Sequence, residues 1–270
     1  MPVPHAFDRA ERDNWAGRAG AYAETFGTLC AHTAQPLLDA AGVGPGTRVL
    51  DAGTGPGTLA AAARARGAEV SATDADADMA DLARTTVPDA DVRVAALPEL
   101  PFPDGAFDAV TANFVLNHVS SPRTVLAALR RVARPGGLVA VTVWAAPGAP
   151  GQALLWRAVE AAGYTPAPSA RLDAAEDFAR TPDGLTALLQ EAGFRDATAR
   201  LVEWDHVTTP AAWWAGPAAG IATIGREVTS GDAARTAAIH RAYLRLAEPF
   251  ARPDRTLALP HRAVLAAGRA

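Results

Sequence analysis

Val49-Leu50-Asp51-Ala52-Gly53-Thr54-Gly55-Pro56-Gly57 is an apolar run that stops at an acid and then at three alternating glycines. It follows the turn Gly44-Pro45-Gly46-Thr47, and the segment after it, Thr58 to Arg66, is rich in alanine and other helix formers. The pattern predicts a strand over Arg48 to Ala52, a tight loop and a helix. Glycine has no Cβ, so the loop backbone is free to adopt positive φ values, and a ligand is free to approach the main chain beside a helix N-terminus.

Spacing narrows the ligand. A dinucleotide fingerprint reads G-x-G-x-x-G, and counted from Gly53 its third glycine falls on Thr58; here the glycine arrives one residue early, at Gly57. Asp51, two residues before the first glycine, also repels a pyrophosphate in a partly dry site. An acid beside a glycine loop suits a cationic ligand. DAGTGPG resembles the DxGxGxG signature of class I S-adenosylmethionine-dependent methyltransferases. Their cofactor carries an ammonium and a sulfonium and no phosphate. The resemblance implies S-adenosylmethionine contacts at Asp51, Gly53, Thr54, Gly55 and Gly57.

Composition excludes several other chemistries. All 25 basic residues are arginine, which rules out a Schiff-base lysine and a P-loop lysine. This lysine-free, alanine-rich usage is that of a GC-rich bacterial gene. A formal charge of −4 leaves no electrostatic footprint for nucleic acid. Cys30 is the sole cysteine, so no intrachain disulfide or cysteine-based zinc site forms, and His5, His32, His240 and His261 show no paired metal spacing. The polar opening MPVPHAFDRAERDNW lacks the apolar core of a signal peptide, and no long uncharged apolar run occurs. A cytoplasmic protein without membrane insertion is expected.

From Asn14 to Ala41 apolar residues recur at helical spacing, with a break expected near Gly27 or Pro36. Residues 13–42 are read as a helical cover. Trp15, Ala19 and Tyr22 resemble the family's W…AxxY segment, which implies closure over the cofactor's methyl group; the alternative is that both aromatics simply staple the cover. Glu69 to Thr73 is a second strand ending at Asp74, where a carboxylate takes both ribose hydroxyls. Asp76 and Asp78 read as helix caps. The resemblance adds Ala75 and Met79 to the adenine side, and Ala96 and Leu97 in the loop after a third strand, Val92 to Ala95. Relatives usually carry an Asp where this chain has Ala96, which offers no side-chain acceptor.

Phe107 to Thr111 is the fourth strand, and ligands of open α/β sheets sit beyond the carboxyl ends of strands. Asn113 and Phe114 therefore face the methionine end of the cofactor, and Asn117 and His118 lie where substrate meets it. His118 is the candidate general base, with Tyr22 positioning; the alternative for His118 is a structural or cofactor contact. Ser121-Pro122 opens a helix closed by Pro135-Gly136-Gly137, and Leu138 to Trp144 is the fifth strand, in a run that resembles the family closely.

Beyond Trp144 the pattern loosens. A helix is expected over Ala153 to Ala162, another after Thr181-Pro182, a sixth strand over Ala197 to Trp204 and a last one over Thr256 to Ala267. Trp213, Trp214 and Ile221 fall in one helical segment between these strands, and Ile239, Tyr243, Leu246 and Phe250 in another. Residues 145–180 and 207–252 read as lid or substrate-cap insertions, the latter alternatively as a homodimer surface. Trp15, Trp144 and Trp213 are candidate walls of an apolar acceptor pocket, with Asn117 beside them. His206 is expected at the surface or the pocket edge.

The resemblance implies one α/β methyltransferase domain over 1–270. Its fold is a Rossmann-like, seven-stranded, mainly parallel sheet with helices on both faces, the last strand antiparallel and helical lid insertions. The ubiquinone/menaquinone biosynthesis type is the nearest look. The implied activity is methyl transfer to oxygen, nitrogen or activated carbon of a small, partly apolar molecule. Two readings stay open beside it, a cyclase-like tailoring reaction on the same fold and a non-catalytic S-adenosylmethionine-binding regulator.

Overall fold

A computed structural model describes residues 6–168 and 171–270. His5 and the start of the polar N-terminal stretch lie outside the described residues, as do two residues of the first lid insertion. The chain opens with helices α1 (Ala6–Trp15), α2 (Ala19–Glu24) and α3 (Phe26–Cys30), a 3-10 turn (Ala31–Thr33) and α4 (Ala34–Ala40). Alternation follows: β1 (Arg48–Ala52), α5 (Thr58–Ala65), β2 (Glu69–Asp74), α6 (Ala77–Thr86), β3 (Asp91–Val94), β4 (Phe107–Asn113), a 3-10 turn (Leu116–His118), α7 (Pro122–Val132) and β5 (Ala133–Trp144). The rest is α8 (Pro150–Ala161), α9 (Pro182–Glu191), β6 (Arg195–Thr208), α10 (Pro210–Ala218), α11 (Ala222–Thr229), α12 (Ala233–Ala247) and β7 (Leu257–Arg269).

The seven strands form one sheet in the order β3-β2-β1-β4-β5-β7-β6. β1 to β5 are mutually parallel, and β7 runs antiparallel between β5 and β6. Strands buried on both faces need mostly apolar side chains, and β1 and β4 supply them at Val49, Leu50, Ala52, Phe107, Ala109, Val110 and Ala112. One face packs against α7 and α9 through Leu126, Leu129, Leu185 and Leu189. The other packs against α4, α5 and α6 through Leu37, Leu38, Ala60 and Ala83. A third core gathers α8, α10, α11 and α12 over the sheet end, with Leu29 of the cover.

Several boundaries differ from the sequence reading. The cover breaks at Gly17, at Thr25 and at the 3-10 turn, the last two close to the breaks expected near Gly27 and Pro36. Gly27 lies inside α3, where an added Cβ would stand 3.0 Å from the Tyr22 carbonyl oxygen. Pro36 sits in the first turn of α4, where no N–H partner is needed. Pro135-Gly136-Gly137 lies within β5 as a bulge: Phe107 pairs with Ala133, and Ala109 already with Leu138. α8 begins at Pro150, earlier than expected, because Gln152 Oε1 accepts from the Ala149 N–H at 2.7 Å. β6 extends to Thr208 because β7 pairs with it all the way to Leu257. Ile221 is not in the helix of Trp213; a turn at Gly220, φ 76°, separates α10 from α11.

The lid is seated by a close backbone contact. A Cβ on Gly151 of α8 would stand 2.5 Å from the Pro260 carbonyl oxygen and 2.9 Å from the Leu259 carbonyl carbon of β7. Gly151→Ala is expected to lower stability in urea by about 1–3 kcal/mol, the usual range for overpacking. Gly20→Ala, with nothing within 4 Å of the new carbon, should be neutral or stabilising by up to about 1 kcal/mol. Equal midpoints for the two variants would refute this seating of α8.

Candidate functional site

β1 carries Asp51 to the sheet end, where the chain turns through Gly53, Gly55 and Gly57 at φ 72°, 56° and 86°. A Cβ on Gly53 would lie 2.5 Å from Val115 Cγ2, so the turn requires glycine there for space as well as for conformation. The N–H groups of Gly53 and Thr54 donate to the Thr73 carbonyl at 2.8 and 2.9 Å, tying the turn to the end of β2. Asp74, at that end, accepts from Gly55 N at 2.8 Å and from Asp76 N at 3.0 Å. Asp76 caps α6 through Met79 N at 3.1 Å; Asp78, expected as a second cap, is in the first helical turn. α5 starts at Gly57 with no side-chain cap, so its first N–H groups border the turn.

Asp51 is 1% exposed. Its two oxygens accept from Thr54 Oγ1 at 2.7 Å and Thr111 Oγ1 at 3.1 Å. Burial outweighs these bonds and raises its pKa to about 6. Burial also raises Asp74. The site therefore holds two carboxyl groups whose charged forms the protein alone leaves under-stabilised, as a cation-binding site would.

The cover closes on this turn. Tyr22, Gly27, Cys30, Ala31 and Ala34 face Asp51, Thr54, Gly55 and Asn113 across a cavity of about 40 Å³. The Tyr22 ring lies over Gly55, with Cys30 beside its hydroxyl. Burial raises both groups, Cys30 to about 12. Asn113 fastens the cover to the sheet: Oδ1 accepts from Thr33 Oγ1 at 2.7 Å and Thr142 Oγ1 at 2.6 Å, and Nδ2 donates to the Cys30 carbonyl at 3.1 Å. Phe114, at φ 59°, stacks on Trp144 with ring centroids 4.0 Å apart.

His118 lies one ring away from the cavity. Trp15 stands between it and Tyr22, edge-on to both, with centroids at 5.2 and 5.3 Å. His118 Nδ1 is 2.6 Å from Glu11 Oε2, a partner on α1 that sequence reasoning missed. The Asn117 amide is buried without a partner. Met79 is buried, Ala95 N donates to the Asp74 carbonyl at 2.8 Å, and Ala96 O accepts from Glu99 N at 2.9 Å. Ala96 and its neighbour Leu97, which packs on the α7/α9 core, thus follow directly from the Asp74 strand end.

Of the two places expected for His206, the surface is overturned: the side chain is 5% exposed. Trp204 and His206 share the inner face of β6, and His32, Trp213 and His261 join them. The signal was the i, i+2 spacing of Trp204 and His206, which alternation puts on one face. Burial lowers His206 and His261 to about 4, so both are neutral at pH 7. Among the described residues, no group of three or more His, Cys, Asp or Glu is arranged to hold a metal ion, and no helix is long and apolar enough to cross a membrane.

Burial of Asp51 makes stability fall as pH rises. Its folded pKa, about 6, lies above the unfolded value near 4, so its contribution to stability is present below about pH 4 and is lost as pH rises through 6. A carboxyl group roughly a hundredfold harder to ionise when folded corresponds to roughly 3 kcal/mol, less about 1 for the hydroxyl that an amide pairs poorly. Asp51→Asn should therefore stabilise the ligand-free chain by about 1–2 kcal/mol at pH 8, and near pH 4, where only the poorer pairing of the amide remains, should destabilise it by about 1 kcal/mol. A pH-independent difference between the urea midpoints of the two chains would contradict the burial account.

Comparison with known proteins agrees with this geometry. The family described as a methyltransferase domain matches residues 50–141. A demethylmenaquinone methyltransferase of Beutenbergia cavernae is 36% identical over 167 residues, 58% of this chain and 70% of the relative. One of Renibacterium salmoninarum is 38% identical over 111 residues, 41% of this chain and 47% of the relative, so the chain spans about half the length of that protein. The crystal structure of the YcgJ protein from Bacillus subtilis shares the fold at a TM-score of 0.55 and 19% identity, covering 88% of this chain and 97% of that one. The glycine turn, its buried acid and these relatives together make the chain a member of the class I S-adenosylmethionine-dependent methyltransferases.

Proposed function

We propose that the chain methylates oxygen, nitrogen or activated carbon of a small, partly apolar molecule held between the cover and the lid helices. The observation that carries this reading is the buried Asp51 carboxylate under a glycine turn, closed off by Tyr22. The donor set suits S-adenosylmethionine, which when bound supplies a methyl group on a sulfonium sulfur. Asp51, with Gly53, Thr54, Gly55 and Gly57, faces its cationic methionine part, and Asn113 and Phe114 lie toward the same end. Asp74 takes the ribose hydroxyls, and Ala75, Met79, Ala96 and Leu97 border the adenine.

His118, held by Glu11, is the base for an acceptor that must lose a proton, and Tyr22 positions the reacting groups. Trp15, Asn117, Trp144 and Trp213 border the acceptor. Holding nucleophile and methyl in line supplies roughly 7–11 kcal/mol in favourable cases. In this reading residues 1–270 form one methyltransferase domain, with 13–42 as cover and 145–180 and 207–252 as cap. The demethylmenaquinone methyltransferases among its relatives support an apolar small-molecule acceptor.

Calorimetric titration with S-adenosylmethionine and S-adenosylhomocysteine tests the cofactor assignment. Asp51→Ala and Asp74→Ala should each weaken binding by about tenfold or more, the loss expected for a charge-assisted bond of roughly 1.5–3 kcal/mol. Affinity in the wild-type chain should fall below pH 6, where Asp51 becomes protonated. Wild-type-like binding by Asp51→Ala would end this reading. For chemistry, His118→Ala should lower kcat by about a hundredfold or more; if turnover stays within a few-fold while Tyr22→Phe abolishes it, the base is not His118.

A further inference from the structure

α1 turns a polar edge toward the exit of β4. Asp8 accepts from Ser120 N and from Ser120 Oγ, both at 2.7 Å. One turn later Glu11 Oε2 lies 2.6 Å from His118 Nδ1, and one turn later again Asn14 accepts from Arg226 of α11 at 3.1 Å. Residues three apart share a helix face, so these three side chains follow one another along α1. Glu11 is the member that meets a group able to do chemistry.

The contact fixes more than a position. A carboxylate has no proton to give, so Nδ1 donates, and in the neutral imidazole the remaining lone pair then sits on Nε2. Among the described residues Nε2 has no hydrogen-bond partner, and the His118 side chain is 35% exposed. Glu11 is more enclosed, at 15%, and among the described residues His118 is the only charged or titratable group it pairs with; Asn14 Nδ2 reaches its other oxygen at 3.4 Å. Trp15 stands edge-on to the imidazole at 5.2 Å and confines the ring from the side of Tyr22.

We propose that Glu11 is a positioning residue for the base: it holds neutral His118 as the Nδ1–H tautomer, leaves the Nε2 lone pair for the acceptor's proton, and pairs with the imidazolium that results. The inference rests on the methyl-transfer reading with His118 as base and adds the group that makes the base competent. In that step the oxygen or nitrogen of the acceptor bonds to the methyl carbon, and the carbon–sulfur bond breaks with its electron pair left on sulfur. The acceptor's own proton passes to Nε2. The positive charge lost from sulfur thus reappears on the imidazole, beside the carboxylate of Glu11, where an opposite charge within hydrogen-bond reach favours it. His118 follows β4 and Glu11 lies on α1, so the pair is complete only while α1 is docked.

Nitrogen-15 NMR of the full chain labelled at histidine tests the tautomer, at about pH 9, where imidazoles are neutral, with His118→Gln identifying the signals. In the wild-type chain Nδ1 of His118 should resonate as a protonated nitrogen and Nε2 as an unprotonated one. Glu11→Ala should populate both tautomers, whereas Glu11→Gln, whose amide oxygen still accepts, should keep the first and lose only the charge. Diethyl pyrocarbonate then probes that charge, since its attack by Nε2 builds positive charge on the ring. Mass spectrometry of the His118 peptide should show acylation slowed about fivefold or more in Glu11→Gln, within what a hydrogen bond to a charged group contributes. A tie that only seats α1 would move neither signal. A proton on Nε2 in the wild-type chain overturns the proposal whatever the variants do. An unchanged tautomer in Glu11→Ala, or equal acylation of wild type and Glu11→Gln, also overturns it. The expected tautomer together with undiminished turnover in His118→Ala overturns instead the reading of His118 as base, and the part of Glu11 in catalysis with it.

Discussion

The side-chain amide of Asn113 joins three parts of the chain that the sequence keeps far apart. Its oxygen receives hydroxyls from Thr33 of the cover and Thr142 of β5, and its nitrogen binds the Cys30 carbonyl. β4 thereby holds the cover over the end of the sheet, and this places Tyr22 above Gly55. Thr142 also accepts from the Phe114 N–H at 2.9 Å, next to the one backbone position where the loop after β4 takes a left-handed φ. Such strain in a non-glycine residue persists only where neighbours over-determine it, and here the Trp144 stack and the Thr142 bond do so.

Beneath that clasp lies an electrostatic imbalance. Two threonine hydroxyls are weak compensation for a fully buried carboxylate, and Asp51 is correspondingly reluctant to ionise. Thr54 belongs to the glycine turn and Thr111 to β4, so the same two hydroxyls that orient the acid also fix the turn against the sheet. A cation entering the cavity would complete the pairing that the protein leaves unfinished. Stability of the empty site and affinity for a cationic ligand are thus opposed, which is the usual relation between preorganisation and function.

The lid repeats this logic in neutral form. Its upper part is an ordinary apolar core of Leu155, Ile239 and Tyr243, and Tyr243 satisfies its hydroxyl on the Pro210 carbonyl at 2.9 Å. Its floor gathers indoles and imidazoles with donors to spare. α1 connects the lid to the sheet end: Asn14 accepts from Arg226 of α11, while Asp8 accepts from Ser120 beyond β4. Through α1 the sheet end and the lid are thus tied to one element.

Where structure follows from neighbours in sequence, it was legible. β1, the glycine turn, α5, β2 and the cap at Asp76 are local, because strand periodicity, positive-φ glycines and capping act within a few residues. The places of Asp51 and Asp74 at two strand ends beside the glycine turn were legible for the same reason. What lay beyond reach was long-range. Glu11 meets His118 across 107 positions, Thr33 meets Asn113 across 80, and His32 meets His206 across 174. β6 extends past Trp204 only because β7 is slotted between it and β5 and pairs with it throughout. Residue types and local periodicity determined the strand-turn-helix unit and its preference for a cation. The register of β7 and the seating of cover and lid decided which polar groups meet in the dark at the sheet end, because local periodicity shows which face of an element is buried and not which distant residue it meets.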